Sequence, residues 1–176
     1  AAEAHRLQRL TKDLSLLSRV QEGALKLNKR PVDLADIARS VAGRLQPQYE
    51  AKGVDLAIEL DRPLDVTADP DRIAQAITNV VGNALGHTPQ GGSVRIHSDR
   101  SDDSCSIEVT DTGSGIPPGQ LETIFQRFSR LDPDRPGTGL GLNIARALVR
   151  LHGGDLPAHS DGPATGANSR LTLPAA

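Results

Sequence analysis

Between Asp69 and Gly86 the apolar residues Ile73, Ile77, Val80, Val81, Ala84 and Leu85 recur at the spacing of one helix face. Asp69-Pro70 opens such a helix, since Pro70 suits its first turn, where no backbone N–H is needed. Two stretches that follow change period. Residues 93–99 and 105–110 alternate apolar and polar side chains, with Val94 and Ile96 in one and Ile107 and Val109 in the other, so each reads as a half-buried strand. The polar residues 100–104 join them as a hairpin turn. A strongly amphipathic helix next to one-sided strands can satisfy both only by packing helix on sheet. The remaining signals agree: a helix over 34–46 capped by Asp33, a strand over 54–60 after Gly53, a short helical piece over 121–128, a helix over 142–151 ending in His152-Gly153-Gly154, and a closing strand over 169–173. The expected fold class is α+β, a two-layer α/β sandwich whose antiparallel or mixed sheet carries helices on one face.

The first thirty residues are of another kind. Leu7, Leu10, Leu14 and Leu17 are spaced three, four and three, with Arg6, Arg9, Lys12, Asp13 and Arg19 on the other faces, which predicts a helix over about 2–22. A seam of two heptads is not stable alone. It packs against a second helix or a copy of itself, or else lies on the domain's own core. Gly23, Asn28 and Pro31 end the pattern. Composition narrows the function classes. Twenty basic against twenty-two acidic residues leave no global positive field for nucleic acid, and one Tyr, two Phe and no Trp provide no stacking platform for bases. Cys105 is the single cysteine, so neither an internal disulfide nor a multi-thiolate metal site is possible. No apolar run is long enough to span a membrane. The absence of Met reads as a fragment of something longer.

Three groups of residues carry chemistry. Asn79 and Asn83 lie four apart on one helix face beside the apolar stripe; they are either structural hydrogen-bonding posts or, near a phosphate, a ligand for a hard cation such as Mg2+. Asp111-Thr112-Gly113-Ser114-Gly115-Ile116 follows a strand directly. Its carboxylate can accept from an amino group such as that of adenine, or simply form an Asp-Gly turn. Gly137-Thr138-Gly139-Leu140-Gly141-Leu142 runs into the last helix, whose N-terminal amides and dipole favour phosphates. It is not a Walker loop, for no Gly-Lys-Ser/Thr occurs, and Leu142 breaks the dinucleotide Gly-x-Gly-x-x-Gly spacing.

In this order, with Phe125 and Phe128 between the glycine clusters, the motifs resemble the ATP-binding catalytic domain of sensor histidine kinases, which share the Bergerat fold with DNA gyrase, a heat-shock chaperone and a mismatch-repair ATPase. The resemblance runs from Leu7 to Pro174 and includes Asp69-Pro70-Asp71-Arg72, Thr88-Pro89-Gln90-Gly91-Gly92 and His152-Gly153-Gly154. It implies ATP and Mg2+ as cofactors. Asn83 is then the Mg2+ ligand, Asn79 its polar and catalytic companion, and Asp111 the reader of the adenine amino group. Gly113, Gly115 and Ile116 admit the base, and His87 stands where the family often has an aromatic residue or His. Gly137, Thr138, Gly139, Leu140, Gly141 and Leu142 wrap the phosphates. Phe125 and Phe128 anchor a mobile lid, and Arg130 reaches the terminal phosphate. The hydrolytic relatives carry Glu at the position of Asn79; an amide cannot take a proton from water, so slow hydrolysis and phosphoryl transfer are expected.

The resemblance divides the chain into residues 1–30, the end of a dimerisation and phosphoacceptor hairpin with its linker, and residues 31–176, the catalytic domain. It implies a homodimeric parent, an acceptor histidine outside this chain, a response regulator as partner, and a cytoplasmic domain of a membrane-attached protein. His5 lacks the acidic residue and Pro that follow the family's acceptor, while His97, His152 and His159 read as structural or exposed. Two positions depart from the pattern. Gly86 replaces a Lys that many members set against the phosphates, and Pro136 replaces the first of a frequent Gly pair, in a short stretch from Ser129. A Bergerat ATPase, an anti-sigma-type serine kinase and an ATP-binding module without transfer are the competing readings.

Overall fold

The computed structural model describes residues 1–60, 63–130 and 138–176. Its elements are α1 (Ala2–Gln21), β1 (Arg30–Asp33), α2 (Leu34–Lys52), β2 (Asp55–Glu59), β3 (Asp65–Ala68), α3 (Pro70–His87), β4 (Ser93–Arg100), β5 (Ser104–Asp111), a single 3-10 turn (Thr123–Phe125), α4 (Gly141–Leu151), β6 (Ala158–His159) and β7 (Ala167–Pro174). Five strands form the main sheet in the order β2-β4-β5-β7-β6, parallel between β2 and β4 and antiparallel elsewhere; β1 and β3 pair separately as a two-stranded antiparallel ribbon.

The register explains the layers. Val94 stands opposite Asp111, Ile96 opposite Val109 and Cys105 opposite Leu173, so one face of β4, β5 and β7 is apolar and buried. Helices α2, α3 and α4 lie on that face. The opposite face is polar, with Arg170 paired to Asp99 at 3.0 Å and His97 to Glu108 at 3.1 Å. This is the expected two-layer sandwich.

Helix α3 is fixed at both ends, and at its C-terminus Thr88 Oγ1 donates to the Ala84 carbonyl at 2.7 Å. Asp69 Oδ1 accepts from the amides of Asp71 and Arg72 at 3.1 and 3.3 Å, a side-chain cap at the point where the sequence opens the helix. Helix α2 extends one and a half turns beyond its expected end. Pro47 removes an interior hydrogen bond, yet the helix continues to Lys52 because Tyr49, fully buried, donates its hydroxyl to the Val81 carbonyl of α3 at 2.7 Å, and Gly53 closes the end in the left-handed conformation, φ 74°. Strands β1, β3 and β6 are too short to show a period, and sequence reading passes over them.

Helix α1 settles on the domain through its C-terminal half. Leu16 and Leu17 are buried, Leu10 and Leu14 half-buried, and Leu7 stays 57% exposed. Its neighbour is α4.

Candidate functional site

Asn79 and Asn83 come from the middle of α3, on the edge of its buried stripe, and both are half-buried. They face a cavity of about 880 Å3 that also takes in His87, Asp111, Gly115, Ile116, Arg130, Thr138, Gly139, Gly141 and Leu142. The asparagines of α3, the turn after Asp111 and the glycine turn before α4, three separate groups in the sequence, therefore meet in one place. Asn79 donates its amide to the Gly141 carbonyl at 3.0 Å, tying α3 to the turn that opens α4.

Asp111 ends the central strand β5 and is buried. Its Oδ1 accepts from the amides of Gly113 at 2.9 Å and Ala167 at 3.2 Å. These bonds orient the carboxylate and leave Oδ2 as its acceptor for a ligand in the cavity. Burial pushes the carboxyl above its usual range, and the two amides partly offset that.

The turn after Asp111 is held from behind by residues 160–166, a support with no signal in the sequence beyond Gly162 and Gly166. Ile116 donates its amide to Ser160 Oγ at 3.0 Å, Ala164 to the Ser114 carbonyl at 2.7 Å and Gly166 to the Gly113 carbonyl at 3.1 Å. Gly115 has φ +70°, and a Cβ there would lie 2.0 Å from the Gly162 carbonyl oxygen, so only glycine allows this closure. On the other wall Gly139 has φ +74° and a Cβ would meet the Phe128 backbone at 2.7 Å. Helix α4 then begins without a side-chain cap at Leu140, so its first turn presents backbone amides beside the cavity.

Several expected site residues stand elsewhere. Leu140 is fully buried and its side chain belongs to the core; its amide is within 3.3 Å of Thr138 Oγ1. Gly113 lies behind the cavity, where its amide serves Asp111. Of the two aromatics, Phe125 is buried, with Arg146 stacked 4.2 Å over its ring and Asn143 donating to its carbonyl at 2.6 Å, whereas Phe128 is 55% exposed at φ 60° and is not an anchor in this structure. Gly137 and Pro136 lie outside the described residues.

Sequence reading missed two walls. Arg9 and Asp13 of α1, and Gln48 and Lys52 of α2, also line the cavity. Asp13 accepts a hydrogen bond from the Thr138 side chain, and burial raises its carboxyl above the usual range, against the pull of Arg9. No helix position in α1 or α2 distinguishes these residues from ordinary solvated polar groups; only the packing of three helices around one opening does. Among the described residues no group of three His, Cys, Asp or Glu is placed to hold a metal. A cation here would take amide oxygens, water and phosphate, the ligand set that suits Mg2+.

Residues 68–176 match the family described as histidine kinase-, DNA gyrase B- and HSP90-like ATPase. The chain belongs to this family. Within it the similarity is to sensor kinases. The chain is 35% identical over 164 residues to the probable sensor protein PcoS of Escherichia coli, covering 91% of this chain and 35% of that protein. It is 34% identical over 178 residues to the signal transduction histidine-protein kinase BaeS of Escherichia coli K12, covering 98% and 38%. Among solved structures, full-length ShkA in complex with AMPPNP superposes with a TM-score of 0.86 at 30% identity, covering 97% of this chain and 36% of that one. The mycobacterial sensor histidine kinase MprB gives 0.75 at 29%, covering 84% and 97%. The chain thus has the ATP-binding catalytic domain of sensor histidine kinases, and it spans about a third of the length of the curated relatives it matches. Among its described helices none is long and apolar enough to cross a membrane.

Proposed function

We propose that the cavity binds Mg·ATP and that the chain transfers the γ-phosphoryl group to a histidine on a helical hairpin outside it, for relay to a response regulator. The observation that carries this reading is Asp111, whose Oδ1 is held by two amides while the residue faces the same cavity as Asn83 and the uncapped start of α4. Asp111 would accept from the adenine amino group. Asn83, with Asn79 beside it, would hold Mg2+, which would neutralise phosphate charge and align the transferred group. The amides of the 138–142 turn and Arg130 would face the phosphates.

Asn79 argues for transfer over hydrolysis. It is an amide with its nitrogen already donated to Gly141, so it offers water no proton acceptor of useful basicity. Residues 1–30 would be the end of the hairpin and its linker, in a homodimeric and membrane-attached parent. The test mixes this chain, Mg2+ and γ-labelled ATP with a separate hairpin bearing the acceptor histidine. Acid-labile label on the hairpin, lost in Asn83→Ala and Asp111→Asn, supports the proposal; ATP bound without label on the hairpin indicates a binding module without transfer.

A further inference from the structure

The phosphate half of the cavity has an electrostatic problem. Asn83 lies in the last turn but one of α3, which ends at His87, so a nucleotide whose phosphates lie near Asn83 approaches the negative pole of that helix. The carbonyls of Leu85 and Gly86 belong to this final turn. A polyphosphate beside them is disfavoured unless a cation intervenes. Gly86 contributes no side chain, although a Cβ there would meet nothing within 4 Å.

Lys52, at the end of α2, answers this. Its Nζ donates to the Leu85 carbonyl at 2.7 Å and lies 3.4 Å from the Gly86 carbonyl oxygen, and the residue lines the cavity together with Asn83 and Gly86. The stem is positioned by a rigid neighbourhood: Tyr49, one turn earlier, is bonded to Val81, and Gly53 follows in its left-handed closure. The ammonium is thus fixed on the carbonyl end of α3, in the wall of the cavity. The other permanently cationic residues lining it among those described are Arg9, which lies along α1 from Asp13, and Arg130.

We infer that Lys52 is a phosphate-binding residue, a cation brought from α2 that offsets the negative end of α3 and contacts the nucleotide's phosphates from the side where Gly86 carries no side chain. The inference rests on the reading of the cavity as an ATP site. A lysine that only caps α3 would support every ligand equally; one that meets phosphate would matter in proportion to the charge of the ligand.

Calorimetry at millimolar Mg2+ with ATP, ADP and adenosine separates these, using the chain itself, Lys52→Met, and Lys52→Met combined with Gly86→Lys. The expected result is a loss of about tenfold in ATP affinity, a smaller loss for ADP, no change for adenosine, and recovery of ATP binding when Lys is supplied at position 86. An unchanged ratio of ATP to adenosine affinity overturns the inference, whether all affinities hold or all fall together. If the unsubstituted chain binds none of the three, the ATP reading itself fails. Should Lys52→Met not fold, acylation of Lys52 by an amine-reactive reagent, read by mass spectrometry on the unsubstituted chain, decides the matter. Protection by ATP and not by adenosine upholds the phosphate contact, and equal protection or none overturns it.

Discussion

The backbone amide of Asp69 donates to Nε2 of His152 at 3.1 Å, joining the cap of α3 to the end of α4 across 83 residues. The imidazole is buried, and its Nδ1 lies 2.7 Å from the Leu148 carbonyl, which requires the proton on Nδ1 and leaves Nε2 as acceptor. The neutral ring is the form that fits. Asp69 in turn receives the Asn28 amide at 3.0 Å, so the linker after α1 is held at the same point.

This arrangement predicts a pH dependence of stability. Burial lowers the pKa of His152 in the fold from its ordinary 6.5. As pH falls through the unfolded value the unfolded chain takes a proton that the folded chain refuses, so the contribution is present above that value and is lost on acidification. Urea unfolding at about pH 7.5 and about pH 5 should show lower stability at the acid end, and His152→Gln should flatten that difference while lowering stability at neutral pH by about 1–2 kcal/mol. An acid loss just as steep in the variant assigns the effect to other groups.

Asp111 predicts a separation of stability from binding. Its folded pKa is raised, so the folded state binds this proton more tightly than the unfolded chain, and the ionised carboxylate subtracts from stability above both values. Asp111→Asn keeps an oxygen for the amides of Gly113 and Ala167 and removes the buried charge. Its thermal midpoint should hold or rise, while ATP affinity falls by about tenfold to a hundredfold as a charge-assisted acceptor is lost. In the unsubstituted chain, acidification should weaken ATP binding at a higher pH than an ordinary carboxylate near 3.8 would dictate.

Asp13 is the acidic residue that α1 brings to the cavity, and it holds the Thr138 side chain. With phosphates bound near Thr138, this carboxylate repels them. Asp13→Asn preserves an acceptor for Thr138 and removes the charge, so ATP should bind several-fold more tightly and adenosine with unchanged affinity. Titrations of both ligands check this, and a tightening shared by adenosine points to loosened packing of α1 in place of charge.

The strand alternation of β4 and β5 and the helix period of α3 made the layers readable, because each element buries one face and its side chains must repeat accordingly. The three groups of the site were readable for a related reason: a glycine beside a close backbone approach, as at Gly115 and Gly139, and a polar residue on a buried stripe, as at Asn79 and Asn83, violate local preference and so stand out. Lys52, Asp13 and Ser160 do not. Each is an unremarkable polar residue in its own segment, and acquires its place only through tertiary packing of α2, α1 and the 160–166 turn. Phe128 shows the converse, since an aromatic residue reads as buried until its φ of 60° and its exposure are seen.

The two asparagines of α3 should part company when each is replaced. Asn79 spends its amide nitrogen on the Gly141 carbonyl, 62 residues away in sequence, and so braces the turn that leads into α4. Asn79→Ala should therefore lower unfolding stability by about 1 kcal/mol and weaken ATP with and without Mg2+, because the amides of the phosphate turn lose their support. Asn83 has its side chain on the cavity wall, and among the described residues no hydrogen bond to it ties two elements together. Asn83→Ala should leave stability within about 0.5 kcal/mol of the parent and abolish mainly the increment in ATP affinity that Mg2+ supplies. Calorimetry with and without a chelator, set beside urea unfolding of both variants, measures the four quantities. If Asn83→Ala weakens ATP equally in the chelated and magnesium-loaded titrations, the cation is held by other groups.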